Sequence, residues 1–103
     1  MTYKLSARAE EDIIRVYREG VRLFSVDQAE KYHAGMEHIF QFLSATPKAA
    51  RERMEIDPPV RIHPYGAHII VYLIDDAGDV LVLRVRHGRE DWENDAGPPE
   101  KIR

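Results

Sequence analysis

Arg84, Arg86, His87 and Arg89 crowd into the stretch VLVLRVRHGREDW, and Arg61 and His63 stand upstream in VRIHPY. Guanidinium groups stabilise charge that develops on a phosphorane, and a histidine can carry a proton near neutral pH. Arg61, His63, Arg84, Arg86 and His87 therefore have the side-chain types for RNA cleavage through attack by a 2′-hydroxyl. The same region equally suits a task without bond chemistry. Arg61, Arg84, Arg86, His87 and Arg89, with Trp92 just beyond, form a set able to grip another macromolecule, since arginine and tryptophan are enriched at binding hot spots. A third reading is plain solvation, because an antiparallel sheet often keeps one face wet.

Other chemistries have little support. The 103-residue chain has no cysteine, so it carries no disulfide framework, thiolate nucleophile or zinc-thiolate site. His33 and His38 stand five apart, which is not the spacing for shared metal ligation on a helix, and no histidine–carboxylate group suggests zinc. His68 reads as a satisfied strand histidine. The net charge of −3 argues against a large nucleic-acid footprint, which normally needs a net basic face. No apolar run approaches the roughly 20 residues that cross a bilayer, and MTYKLSARAEED lacks the apolar centre of a signal peptide. Hydrophobic residues at 44% and charged residues at 32% fit a single ordinary globular core.

These residues need elements to hold them. Tyr3 and Leu5 alternate with polar neighbours as a short strand, and Ser6 can cap a helix whose first turns carry Glu10, Glu11 and Asp12. Ala9, Ile13, Val16, Tyr17 and Gly20 recur at helical steps as far as about Arg22. After the brief connection Leu23-Phe24-Ser25, serine with Gln28 makes a capping box, and Ala29, Tyr32, Met36, Ile39, Phe40 and Leu43 mark a second helix ending at Ser44. So short a link folds the pair back as a helical hairpin. Tyr17 and Tyr32 sit on its apolar stripes and read first as packing.

Residues 48–59 read as a loop, with room for a helical turn around 49–54. Beyond it the period falls to two: Val60 to Tyr65, then Ala67 to Asp75, then, after the turn Asp76-Ala77-Gly78, Asp79 to His87. The order β-α-α-β-β-β predicts a two-layer α+β domain with the hairpin on one face of a mainly antiparallel sheet. Residues 1–92 form this domain and 93–103 a polar tail. Strict alternation along the last strand places Leu81, Leu83, Val85 and His87 towards the helices and Arg84 and Arg86 on the open face. Similarly, Val60, Ile62 and Pro64 point to the core, and Arg61, His63 and Tyr65 outward. The expected result is a basic open face.

Two blocks together resemble the ParE branch of the RelE/ParE toxin superfamily. One is Tyr3-Lys4-Leu5-Ser6 with Ala9-Glu10-Glu11-Asp12-Ile13. The other is Arg61, His68-Ile69-Ile70-Val71-Tyr72 and Val82 to Trp92, with H-G-R-x-D-W its most specific part. The resemblance spans Thr2 to Glu93 and implies a bacterial, cytoplasmic toxin of a type II toxin–antitoxin system, with no cofactor. It further implies neutralisation by a ParD-like antitoxin in a hetero-oligomer, and inhibition of DNA gyrase by binding. Arg61, Arg84, Arg86, His87, Arg89 and Trp92 would meet the target. Tyr32, His33, Met36 and Tyr65 would meet an amphipathic antitoxin segment. The alternatives are a RelE-type messenger-RNA endonuclease on the ribosome and an inactive homologue that keeps only antitoxin binding. The last strand and tail lack tyrosine, and the only lysine after Lys48 is Lys101, which departs from the endonuclease pattern.

Overall fold

Two serines start the two helices. The chain is described by a computed structural model over residues 2–89. Strand β1 (Tyr3–Leu5) ends at Ser6, whose hydroxyl accepts the Ala9 N–H at 3.0 Å and opens α1 (Ala7–Leu23). Ser25 does the same for Gln28 at 3.1 Å and opens α2 (Val26–Ala45). Four strands come next in the chain: β2 (Glu52–Arg53), β3 (Val60–Tyr65), β4 (His68–Ile74) and β5 (Val80–His87). Strand β2 falls where a loop or helical turn was expected. Two residues are too few to carry a period, so alternation gives no sign of it.

The sheet runs β1-β5-β4-β3-β2, with β1 parallel to β5 and every other pairing antiparallel. The helical hairpin lies on one face. Ala9, Ile13, Met36, Phe40 and Leu43 of the helices pack there against Ile70, Tyr72, Val80, Val82 and Val85 of the sheet. The two-layer α+β architecture therefore holds. No helix among the described residues is long and apolar enough to cross a membrane, and no cluster of three potential metal ligands occurs among them. Trp92 and the 93–103 tail lie outside the described residues.

The orientation of the basic residues differs from the expectation in β3, whereas in β5 Arg84 and Arg86 pair with Val71 and Ile69 on the face away from the helices, as expected. In β5 it is Val80 and Val82, not Leu81 and Leu83, that face the helices. Pairing runs Tyr72↔Val82 and then Val71↔Arg84, so Leu83 is an extra residue, a β-bulge, and the parity of everything after it changes. Val85 thereby returns to the helix side.

In β3 the assignment is inverted. Arg61 pairs with Tyr72 and His63 with Ile70, and residues paired across antiparallel strands share a face. Arg61, His63 and Tyr65 therefore lie on the helix side. Val60 and Ile62 instead join Ile56, Val71 and Leu83 in a second apolar cluster on the opposite face, extended by Ile69, Leu73 and Leu81. That face is mainly apolar, with Arg84 and Arg86 at its β5 end.

Candidate functional site: a groove between the hairpin and the end of the sheet

Two polar clasps shape this end of the molecule. The first is built on Asp12. Once β1 ends, the free edge of β5 needs other partners. The Ser6 N–H bonds the Val82 carbonyl at 2.9 Å, and the Ser6 hydroxyl donates to the Leu83 carbonyl at 2.8 Å. The Asp12 carboxylate then accepts the Val85 N–H at 3.0 Å. The same carboxylate takes Arg84 Nε at 2.6 Å, Arg84 Nη2 at 3.1 Å and Arg15 Nη1 at 3.0 Å. Asp12 is 1% exposed and Arg84 12%, so this forked pair is a buried link from α1 to the bulged strand. Arg84, expected on an open face, is covered and neutralised within its own chain.

The second clasp is reciprocal. The Tyr32 hydroxyl donates to the Tyr65 carbonyl at 3.0 Å, and the Tyr65 hydroxyl donates to the Tyr32 carbonyl at 2.8 Å. Tyr32 oxygen also receives the Ala67 N–H at 3.2 Å and lies 2.7 Å from His68 Nδ1. Its single proton goes to the Tyr65 carbonyl, which leaves His68 Nδ1 as the donor in that contact. The β3–β4 turn is thereby held against α2, and His68 is the satisfied strand histidine expected. Burial raises the Tyr32, Tyr65 and Tyr72 phenols above the ordinary tyrosine value; at Tyr32 the Ala67 N–H partly opposes this.

A phenol whose pKa is raised in the folded state holds its proton better there than in the unfolded chain. The stability this contributes is complete below about pH 10, the unfolded value, and is lost as pH climbs through the raised native values. We expect thermal melts to be insensitive to these groups from neutrality to that point and to fall steeply beyond it. Tyr32→Phe should make the alkaline fall shallower.

Between these clasps lies a groove of about 530 Å³. Its floor is apolar, from Ile13, Val16, Ala29, Met36 and Val85, and its rim includes His33, His68 and His87. Leu23, the last residue of α1, and Phe24, in the hairpin connection, stand at its mouth, 56% and 74% exposed. Single exposed apolar residues are ordinary, but a pair continuous with a greasy groove marks a contact surface.

Of the residues expected to meet an antitoxin, Tyr32, His33 and Met36 line this groove, and Tyr65 stands behind it through its clasp with Tyr32. The arginine–histidine set is not brought together. Arg61 Nη1 donates to the Ala50 carbonyl at 2.6 Å. His63 packs on Phe42 with ring centres 6.0 Å apart, its Nδ1 buried and without a hydrogen bond among the described residues. Arg86 pairs in register with Ile69 on the face away from the helices. His87 faces the groove 5.4 Å from the His68 ring, and its Nδ1 accepts the N–H of exposed Arg89 at 3.1 Å. Glu90, Asp91 and Trp92 fall outside the described residues.

Sequence reasoning missed Asp12, read only as a favourable charge near a helix start, and it passed over Leu23 and Phe24. For the latter a signal existed. Two large apolar side chains in a three-residue connection have no core to enter and call for another partner.

Comparison with known proteins agrees with this anatomy. The family described as "ParE toxin of type II toxin-antitoxin system, parDE" matches residues 3–92. Toxin ParE1 of Mycobacterium tuberculosis, from strains CDC 1551 / Oshkosh and H37Rv, is 32% identical over 89 residues, covering 86% of this chain and 91% of that toxin. Among solved structures, a chain of the "Chromosomal ParDE TA system from P. aeruginosa" superposes with a TM-score of 0.71 at 19% identity, covering 84% of this chain and 95% of that one. That last likeness speaks to fold. The matched span takes in β1 with its Ser6 cap, Asp12 with its bulged partner strand, and every groove-lining residue, so this chain belongs to the ParE toxin family of type II toxin–antitoxin systems.

Proposed function

We propose that this toxin acts by binding DNA gyrase and that a ParD-like antitoxin neutralises it by occupying the groove around Tyr32, His33 and Met36. The observation that carries the binding mechanism is the dispersal of the candidate RNA-cleaving groups. Strand scission needs a base, an acid and cations around one phosphate. Here Arg84 is tied to Asp12, Arg61 is tied to the Ala50 carbonyl, His63 is packed under Phe42, and Arg86 faces the other side of the sheet. A binding inhibitor requires no such convergence. Its contact set narrows to Arg86 and His87 at the end of β5, with Arg89 and Trp92 beyond the strand. His87 belongs to both regions, so an antitoxin in the groove also covers part of the target surface.

Purified toxin added to gyrase should block supercoiling and accumulate cleaved DNA, with messenger RNA on ribosomes left intact. Cut transcripts and unaffected gyrase would replace this reading with the endonuclease one. Antitoxin binding with neither activity would identify an inactive homologue. Arg89→Glu should raise the toxin dose needed for gyrase inhibition by roughly tenfold or more, as at other arginine hot spots, with an unchanged melting temperature.

A further inference from the structure

We propose that residues 90–103 of this chain dock on the outer face of its own sheet, with the Trp92 indole seated on Ile69 and Ile62 and the carboxylates of Asp91 and Glu93 beside Arg86. The inference is independent of the gyrase and antitoxin readings, because it concerns the face of the sheet that lies away from the helices. Three observations support it.

The first is an apolar surface that is only partly closed. On this face Ile56, Val60, Val71 and Leu83 are buried, Ile56 coming from the segment between β2 and β3. Ile62 and Ile69 belong to the same cluster but are only partly buried. They lie towards the turn that joins β3 to β4, where Pro64, Ile69 and Arg86 form one row across β3, β4 and β5. An apolar side chain laid on the two isoleucines takes their remaining surface out of water, and an indole supplies a large flat area for that purpose.

The second observation is where the chain leaves the sheet. The Gly88 N–H donates to the Ala67 carbonyl at 2.8 Å, which pins the exit from β5 to the β3–β4 turn, beside the row of Ile69. Trp92 follows four residues later, a reach of at most about 14 Å. Neighbouring strands lie about 4.8 Å apart, so the β4 and β3 positions of this face are both within that reach. On the helix side the same end of the sheet is already closed by the reciprocal bonds of Tyr32 and Tyr65.

The third is charge. Glu90, Asp91, Glu93, Asp95 and Glu100 against Lys101 and Arg103 account for the whole net charge of −3, so the rest of the chain is balanced. Four of those acids lie within three positions of Trp92. The apolar row carries Arg86 at its β5 end, and exposed Arg89 follows it. Carboxylates flanking the indole therefore meet guanidinium groups at the place where the indole meets isoleucine. Seated by one side of its ring, Trp92 still presents the other to a target.

The test uses the full chain alone and reads Trp92 directly, since it is the only tryptophan. Native toxin should emit at shorter wavelength than toxin in urea and should resist acrylamide quenching severalfold better, at every protein concentration. Ile69→Ser should shift the emission to longer wavelength and restore quenching, with melting temperature recorded to show that the domain stays folded. Arg86→Gln, or added salt, should move the spectrum the same way by a smaller amount. Ile14→Ser, at an exposed position on α1, should leave it unchanged. Nuclear Overhauser contacts between the indole and the Ile69 methyl groups in unaltered toxin make the result independent of how the variants fold. Native emission matching that in urea, or the absence of those contacts, overturns the inference. So does shielding that appears only as the toxin self-associates, which would mean that a second copy covers this face, and so does an unmoved spectrum in folded Ile69→Ser.

Discussion

Asp12→Ala is expected to remove about 3–5 kcal/mol of stability, the usual cost of stranding one member of a buried ion pair. Against a total of about 5–15 kcal/mol for a domain of this size, that brings the protein close to unfolding. The cost arises on the other side of the pair. Arg84 would keep its charge in a place where only 12% of the side chain meets water, and the Val85 N–H would lose its acceptor. Asp12→Ala combined with Arg84→Met separates these contributions. The double variant removes the stranded charge and should recover most of the loss, but it leaves Val85 unsatisfied at about 1–3 kcal/mol. Urea melts of the two variants decide the matter: a single variant within about 1 kcal/mol of the parent, the size of an ordinary exposed ion pair, would show that the clasp contributes little. Toxicity assays are affected too. Charge reversal at Arg84 would abolish activity by unfolding the toxin, so Arg84 cannot be assigned to target contact from toxicity alone, and Arg89 is the informative position.

The elements of this fold were legible because local chemistry announces them. Ser6 and Ser25 cap as expected, and the turn at Asp75 forms with the Ala77 and Asp79 N–H groups on the Asp75 carboxylate and Gly78 at φ +86. Strand lengths and the helical hairpin follow from period alone. What failed was the face assignment in β3 and in the first half of β5, and for a physical reason. Alternation identifies a core only when one face is wet, whereas Ile69, Ile70, Val71, Tyr72 and Leu73 bury apolar groups on both sides of β4. With two greasy faces, nothing in Val60 to Tyr65 distinguishes the helix side from the other. The bulge at Leu83 then reverses parity midway through β5, and no residue type there marks it. Tyr32 and Met36 lie on the stripe that helical phase assigned them, since a bulge in a distant strand does not disturb that phase. The buried partner of Arg84 lies 72 positions away, a pairing that only the assembled layers reveal.

Gly66→Ala should cost about 2–4 kcal/mol, combining the strain of a side chain in left-handed backbone with a clash that the neighbour cannot relieve cheaply. Gly66 has φ +56, and a methyl group there would approach the Tyr32 hydroxyl to 2.6 Å and its ring to 2.8 Å. Tyr32 has little freedom to retreat, because its hydroxyl serves the Tyr65 carbonyl, the Ala67 N–H and His68 together. Gly78→Ala provides the control. Its φ is +86, but its added carbon meets nothing within 4 Å, so it should carry the backbone strain of about 1–2 kcal/mol and no more. The two variants should also part in function. Tyr32 forms a wall of the groove, so displacing it should weaken antitoxin binding in Gly66→Ala at temperatures where both variants remain folded, while Gly78→Ala binds normally. Gly35 tests the partner ring, since a carbon there would overlap the Tyr65 hydroxyl, although the gain in helix propensity offsets part of its cost. Equal stability losses in Gly66→Ala and Gly78→Ala would mean that Tyr32 yields freely, and the clasp would then not be what fixes the groove wall.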